Sequence, residues 1–381
     1  MMIYFSILYF LNMSSRALFA PFVTVYMGEK GLSPQEIGIV MSMNSVMLIV
    51  AQPLWGTIAD RFPSRRKVVA CCFIFQAMVV CSFNLITSAA LVAGTYLLST
   101  FFSSPEGPLM DTWVLGSLKE VGDRNNMGRL KFWGCAGYAI FSSVGGMLVS
   151  RHSTTFTIPI FAAVLLMIGA LILVWGRDGG ANEGKKAAGG VLNLFRDKAL
   201  LIFLIYMIVM QIPHRAAFTF YPILIEQLGG GTEMVGYTSS VMFISEALIM
   251  FISGMVLKKL RPVHIVMLSS AFFALWQFLY AGMTQPWHVV AAAVLDGPAY
   301  ACLSLGVLYY ADEIAPEGMR STYQALIYAC YFGVSGIIGN TIGGIAVETI
   351  GLRSMYLAGG TVIVCATAAF ALINRLKPRA V

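Results

Sequence analysis

Five ionisable side chains lie inside stretches of sequence that are otherwise almost entirely apolar. They are two arginines and three acids: Arg16, Glu106, Arg215, Glu246 and Asp296. A charged group at the centre of a lipid bilayer costs about 2.5–3.5 kcal/mol on insertion scales, so such a residue generally marks a functional site. A fold is stable by only about 5–15 kcal/mol. We therefore expect these five groups to pair, to face water, or to lose their charge.

Acids and arginines in such positions suit the coupling of a proton to the movement of a solute. Burial disfavours the charged form of a carboxyl group, whereas a neighbouring guanidinium favours it. If the arginine moves away, the acid takes up a proton, and we assign Glu106, Glu246 and Asp296 to this coupling. An arginine can also hold a carboxylate or a hydroxyl-rich solute. The predicted substrate-binding residues are Asn12, Arg16, Gln211, Arg215 and Tyr300.

Other interpretations of the polar residues in these stretches are open. In the structural interpretation, the arginines simply neutralise the acids and hold two halves of the protein together. His214 is a possible titrating group, but it points about 100° away from Arg215 around a helix. Asp111, five residues after Glu106, is interpreted as a structural partner of the basic segment at 129–131 rather than as a substrate ligand.

The composition predicts the elements that position these side chains. The chain has 381 residues, of which 58% are hydrophobic and 11% charged, against roughly 25% charged in soluble domains. An apolar run of about 20 residues is long enough to cross a bilayer as a helix. The sequence therefore predicts an all-α membrane protein with twelve transmembrane helices, at about 3–26, 36–59, 67–87, 89–115, 130–150, 155–175, 199–226, 235–257, 263–282, 286–311, 320–346 and 353–374.

The distribution of basic residues predicts the orientation of the chain. Of the 25 lysines and arginines, 20 fall in alternate loops or in the C-terminal tail, and the opposite loops hold only Lys30, Arg151 and Arg353. Such an excess marks the cytoplasmic side, so both termini are predicted to be cytoplasmic. This asymmetry accounts for the net charge of +7, and no nucleic-acid partner is needed to explain it.

The sequence offers no chemistry typical of an enzyme. All seven cysteines fall within predicted spans, and none has the spacing of a metal site. A pair of nucleophile and base is also absent from the sequence pattern. We therefore predict neither catalysis nor a metal nor another cofactor.

The chain consists of two similar halves. Asn12 and Arg16 recur as Gln211 and Arg215 at an offset of 199, and Glu106-Gly107-Pro108 recurs as Asp296-Gly297-Pro298. Internal repeats of this kind are typical of transporters, with the site at the midplane between the repeats. We predict two pseudo-symmetric six-helix bundles, each with a broken helix at its acid. The predicted domains are a first bundle at 1–175, a cytoplasmic linker at 176–198 and a second bundle at 199–381.

The loop after the second span carries a motif. Gly56-x-x-x-Asp60-Arg61-x-x-x-Arg65-Arg66-Lys67 resembles the signature of the major facilitator superfamily, with one extra residue and without its usual glycine. The segment 128–134 resembles the branch of oligosaccharide, nucleoside and phenylpropionate proton symporters. The resemblance implies alternating access, with spans 1, 4, 7 and 10 lining the cavity. It also implies a conformational latch formed by Gly56, Asp60 and Arg61.

Together these features predict a secondary active transporter in a bacterial-type inner membrane. Its partners would be the lipid bilayer, protons and a small organic solute: a sugar, a nucleoside or an aryl carboxylate. We expect it to function as a monomer, by proton-coupled symport. The alternatives are proton-coupled efflux of drugs or metabolites and, in another class, a non-transporting membrane sensor or scaffold. Tyrosines of the eleventh span, at 323, 328 and 331, either stack on the solute or pack against neighbouring helices.

Overall fold

The computed structural model describes residues 2–62, 64–120, 127–176, 198–256, 260–315 and 320–376. Within these ranges the chain is almost entirely helical and contains no strand, which confirms the predicted all-α class. Nine helices of the described ranges are long and apolar enough to cross a membrane. The count of twelve spans stays a prediction, and most of the linker predicted at 176–198 lies outside the described residues.

The α-helices follow in chain order: α1 (Met2–Ala17), α2 (Val23–Glu29), α3 (Pro34–Arg61), α4 (Arg65–Cys81), α5 (Ala89–Ser103), α6 (Glu106–Glu120), α7 (Met127–Arg151), α8 (Thr154–Trp175), α9 (Lys198–Gln227), α10 (Thr232–Val256), α11 (Pro262–Gly282), α12 (Pro286–Ala292), α13 (Asp296–Ile314), α14 (Arg320–Tyr328), α15 (Ser335–Thr349) and α16 (Gly351–Leu376). Short 3₁₀ turns precede α2, follow α4 and precede α13, and a π-helical turn at Ala329–Val334 joins α14 to α15.

Several predicted spans are built from more than one helix. The fourth predicted span is interrupted between α5 and α6 at Pro105, whose ring removes a backbone donor and blocks continuation of a helix. The tenth is interrupted by the 3₁₀ turn Ala293–Leu295, between α12 and α13. Glu106 is the first residue of α6, and Asp296 is the first residue of α13. Both acids therefore stand at the start of a helix segment inside an apolar stretch.

The described residues divide into two compact units, and each unit takes part of α3 and of α10. Unit 1 comprises Met1–Ser33, Val46–Gly184 and Ile225–Ile244, and unit 2 comprises Pro34–Ser45, Lys185–Leu224 and Ser245–Val381. In unit 1, α1 packs on α7 and α4 packs on α8. In unit 2, α11 packs on α13 and on α16. The core of unit 2 includes Phe203, Met207 and Phe273, all fully buried.

Small residues let helices of unit 2 approach closely. A Cβ added at Gly38 of α3 would meet the backbone oxygen of Asn340 and would lie 3.0 Å from the Cα of Gly344 in α15. Next to this contact the hydroxyl groups of Ser42 and Thr341 form a hydrogen bond of 2.7 Å. Such packing of small residues is a usual source of helix association within membranes.

Replacing Gly38 by alanine is expected to destabilise the protein. Because the new methyl group meets backbone atoms that cannot rotate away, we expect a loss of about 1–3 kcal/mol in the free energy of unfolding. Gly94 of α5 is a matched control, since a Cβ there would meet nothing within 4 Å. Gly94→Ala is expected to stabilise its helix by about 0.5–1 kcal/mol. Thermal melting of both purified variants checks this, and equal melting temperatures would contradict the close contact.

Candidate functional site

In unit 1, the predicted site residues of α1 and α6 form an ion pair. Arg16 Nη2 donates a hydrogen bond of 3.2 Å to Glu106 Oε2. The Glu106 side chain is 1% exposed and that of Arg16 is 38% exposed. Asn12, one turn before Arg16, is buried, with its Nδ2 4.0 Å from the sulfur of Met110. The fold thus brings three predicted site residues of the first half together.

Helix ends favour this pair. Arg16 lies in the last turn of α1, where unpaired carbonyl groups leave a partial negative charge. Glu106 opens α6, where unpaired N–H groups leave a partial positive charge. Each charge is therefore stabilised by its own helix as well as by its partner. The second carboxylate oxygen, Oε1, and the Nε of Arg16 are buried with no hydrogen-bond partner among the described residues.

A separate polar contact in unit 1 involves Asp111. Its carboxylate accepts a hydrogen bond from the hydroxyl group of Tyr9 and lies 3.0 Å from the Nζ of Lys131. Lys131 is 57% exposed and Asp111 is 37% exposed, so solvent screens the pair and it contributes about 0–1 kcal/mol. This contact agrees with the interpretation of Asp111 as a structural residue.

In unit 2, the acid at the matching helix break has a histidine as its partner. His214 Nε2 lies 3.2 Å from Asp296 Oδ1, and His214 Nδ1 lies 3.1 Å from the amide oxygen of Gln211. Gln211, His214 and Asp296 are all buried. The imidazole ring also lies on the side chain of Phe273, with 4.0 Å between the ring centroids. Asp296 and Gln211, two of the predicted site residues, are thus linked through His214.

Arg215 has a different environment from its counterpart Arg16. Its guanidinium lies over two aromatic rings, 4.9 Å from the centroid of Tyr331 and 4.6 Å from that of Phe332. Its Nε and Nη2 are buried and have no hydrogen-bond partner within the described part of the chain. A Cβ added at Gly339 would lie 3.0 Å from the Cβ of Arg215, so α15 approaches α9 closely at this point.

The remaining predicted site residues of unit 2 lie beside Asp296. A Cβ added at Gly297 would meet the hydroxyl oxygen of Ser245 and the backbone nitrogen of Glu246, so the start of α13 touches α10 there. Glu246 has neither an ion pair nor a hydrogen bond in the described ranges. Tyr300 lies one turn after Asp296, and its ring centroid is 6.5 Å from that of Tyr331.

The predicted latch is described only in part. Gly56 is partly exposed, and a Cβ added to it would meet nothing within 4 Å. Arg61 is exposed. The side chain of Asp60 lies outside the described residues, as do those of the repeat's counterpart at 254–259. The roles assigned to Gly56, Asp60 and Arg61 stay predictions.

Sequence reasoning named His214 only as a possible titrating group and did not place Phe332 in the site. His214 falls at the repeat position that Ser15 holds in the first half, and this substitution of a titratable residue was the available signal. Phe332 belongs to the π-helical turn, which turns it toward Arg215. Tyr331 of the same turn contacts Arg215, so at least this tyrosine of the eleventh span packs on a site residue.

Comparison with known proteins identifies similar transporters along nearly the whole chain. The maltose permease of Geobacillus stearothermophilus is 26% identical over 354 residues, which are 93% of this chain and 89% of that protein. The probable 3-phenylpropionic acid transporter of Escherichia coli (strain K12) is 24% identical, over 98% of this chain and 96% of that protein.

A solved structure has the same fold. The crystal structure of the nucleoside transporter NupG superposes with a TM-score of 0.88 at 19% sequence identity, over 99% of each chain. This likeness supports the predicted major facilitator fold. The similar proteins are permeases, which agrees with the prediction that this chain is a transporter embedded in a membrane by several spans and is not an enzyme.

The match that decides the family covers most of the sequence. The model of the MFS_1 like family matches residues 2–358, a range that includes both polar clusters and both broken helices. The chain therefore belongs to the MFS_1 like family of membrane transporters.

Proposed function

We propose that this protein is a proton-coupled symporter that carries a small organic solute by alternating access. The observation that carries the proposal is the position of its buried acids. Glu106 and Asp296 each open a helix segment inside an apolar stretch, and each has a partner that can release it, Arg16 or His214. A buried carboxyl group that exchanges one partner for a proton couples protonation to a change in packing.

Five residues are proposed to contact the solute. Arg16 and Arg215 would bind the solute, and Asn12, Gln211 and Tyr300 would orient it through hydrogen bonds. Glu106, Glu246 and Asp296 would exchange protons. The similar proteins include a maltose permease and a probable 3-phenylpropionic acid transporter, so a solute of this size fits the proposal.

Further parts of the proposal concern topology. We propose two six-helix bundles, at 1–175 and 199–381, joined by a cytoplasmic linker at 176–198. The excess of lysine and arginine in every second loop supports the proposal that both termini lie in the cytoplasm, with the protein in an inner membrane of bacterial type. Gly56, Asp60 and Arg61 would form a latch on the cytoplasmic side, and the working unit would be a monomer.

Proteoliposomes test the proposed function directly. The purified full-length chain is reconstituted with a pH-sensitive dye trapped inside, and maltose, uridine or 3-phenylpropionate is added outside. We expect at least one of these solutes to acidify the interior as it enters, because the proton moves in the same direction. Entry of labelled solute should follow an imposed pH gradient and stop depending on it when a protonophore is present.

One control and two contrary outcomes make this experiment decisive. Liposomes without protein measure leakage, including passive entry of the protonated form of 3-phenylpropionate. Labelled solute that enters at the same rate with and without a pH gradient would overturn proton coupling. Internal alkalinisation on entry would instead indicate exchange of the solute for a proton, the arrangement expected of efflux.

A further inference from the structure

Arg215 carries two hydrogen-bond donors that the described protein does not use. The Nε and Nη2 groups lie on the same edge of the guanidinium and point in the same direction. Both are buried and have no hydrogen-bond partner within the described ranges. A buried donor without a partner is destabilising, and more so when it is charged. We therefore expect a hydrogen-bond acceptor to bind at this edge of Arg215.

The two acids of unit 2 that were assigned to the site, Asp296 and Glu246, do not supply that acceptor in the described structure. Asp296 is engaged by His214 at 3.2 Å. Glu246 lies close to the start of α13 but has no ion pair within 4.0 Å in the part of the chain described. In the first half, by contrast, Arg16 has Glu106 as its partner. The two repeats thus differ in one respect that matters for binding: within the described residues, Arg16 has an acid as its partner and Arg215 does not.

Aromatic rings pack against the face of the same guanidinium. Tyr331 and Phe332 lie beneath the guanidinium, both on the π-helical turn. Phe332 also stacks on Tyr328, with 6.0 Å between centroids and 21° between planes. The side chains of Tyr328 and Phe332 are each more than a third exposed. π-Helical turns are rare and frequently lie at functional sites, and the exposed rings of this turn offer a surface for a planar ligand.

We propose that this surface is a subsite for an aromatic carboxylate. This rests on the proposed function, since the ligand is the transported solute. Its carboxylate would accept hydrogen bonds from Nε and Nη2 of Arg215, a bidentate pair that neutralises the cation. Its ring would stack on Tyr328 and Phe332. A sugar could stack on the same rings, but its hydroxyl groups leave the charge of Arg215 uncompensated.

Access to the subsite depends on the π-helical turn. In the conformation described, Nε and Nη2 are closed to solvent, so a carboxylate reaches them when the rings of this turn move. A π-helical turn is a local interruption of α-helical hydrogen bonding. We place the opening of the subsite at Ala329–Val334 for this reason.

Binding measurements on the purified full chain test the proposal. The probes are 3-phenylpropionate, its amide 3-phenylpropanamide, and 3-cyclohexylpropionate, with maltose and uridine as neutral probes, measured by titration calorimetry. The acid is expected to bind roughly tenfold to a hundredfold more tightly than the amide, because charged hydrogen bonds are lost in the amide. The phenyl compound is expected to exceed the cyclohexyl compound by roughly twofold to tenfold.

Variants assign these preferences to residues. Arg215→Gln should remove the preference for acid over amide, and Phe332→Leu should remove only the preference for phenyl over cyclohexyl. Arg215→Lys keeps the charge without the paired donors and should also bind the acid less tightly. Arg353→Gln removes an exposed arginine of the same unit, and Phe278→Leu an exposed phenylalanine. Both controls should bind as the wild type does, and melting temperatures confirm that each variant is folded.

The outcomes separate this inference from the proposed function. Equal binding of acid and amide, or an unchanged preference in folded Arg215→Gln or Arg215→Lys, overturns the subsite. Binding of maltose or uridine without binding of 3-phenylpropionate also overturns it, while proton-coupled transport of the neutral solute would keep the proposed function. Tight, Arg215-dependent binding of the acid without any proton movement in proteoliposomes would support the subsite and reject the coupling.

Discussion

Glu106→Gln is expected to abolish the uphill accumulation of solute in proteoliposomes with an imposed pH gradient. The side chain of Glu106 is almost completely buried, and its ion-pair partner in the described structure is Arg16. A glutamine has nearly the same shape but cannot bind or release a proton. Because downhill exchange of solute needs no net proton movement, we expect exchange to persist at a reduced rate.

The stability of this variant must be measured alongside its activity. Breaking a fully buried ion pair costs about 3–5 kcal/mol. Arg16 is 38% exposed, so solvent compensates part of the charge left behind and the loss should be smaller. Glu226→Gln is the matched control, because it removes an exposed acid of the same unit. A folded Glu106→Gln protein that accumulates solute like the wild type would exclude Glu106 from coupling.

The sequence alone predicted the helical architecture well, for a simple reason. Each of the twelve apolar runs coincides with one helix or a short series of helices in the described residues. The length of an apolar run and the charge of the loops beside it are properties of whole spans. An error of a few residues at the end of a helix therefore does not change the predicted order of the helices. The breaks at Glu106 and Asp296 were also predictable, since an acid followed by glycine and proline inside an apolar run signals a helix end.

The environment of each charge was harder to predict. Periodicity places His214 about 100° from Arg215 around α9, but it does not say which neighbouring helix lies on each side. In the structure, α13 presents Asp296 to the His214 side, and the π-helical turn presents its rings to the Arg215 side. A π-helical turn adds a residue to one turn and rotates all that follows, and no feature of 329–334 indicates it in the sequence.

The two repeats share a helix that begins at the acid, but the surroundings of that acid differ. Gly107 and Gly297 hold the same place after their acids, yet a Cβ at Gly107 would meet nothing within 4 Å, whereas one at Gly297 would meet α10. In unit 2 the close contact at Gly297 brings Glu246 beside Asp296. The open position at Gly107 has no such close contact within 4 Å in the described residues. In the described structure Arg16 is paired with Glu106, whereas Arg215 is left available for the proposed contact with the solute's charge.

His214 links Asp296 to Gln211. The amide oxygen of Gln211 lies 3.1 Å from His214 Nδ1, and Asp296 Oδ1 lies 3.2 Å from His214 Nε2. A neutral imidazole donates from one ring nitrogen and accepts at the other, whereas an imidazolium donates from both. His214 therefore offers Asp296 a partner with which a proton can be shared.

Asp296→Asn is accordingly expected to abolish proton-driven accumulation and to lower the number of protons moved per solute. The asparagine can still bond to Nε2, so the packing around His214 should be kept, but the shared proton has no carboxylate to return to. The ratio is measured by recording dye fluorescence and labelled solute in the same vesicles. Glu313→Gln, which removes an exposed acid farther along α13, should leave the ratio unchanged. An unchanged ratio in Asp296→Asn would show that the proton is carried elsewhere, with Glu106 and Glu246 as the remaining acids assigned to coupling.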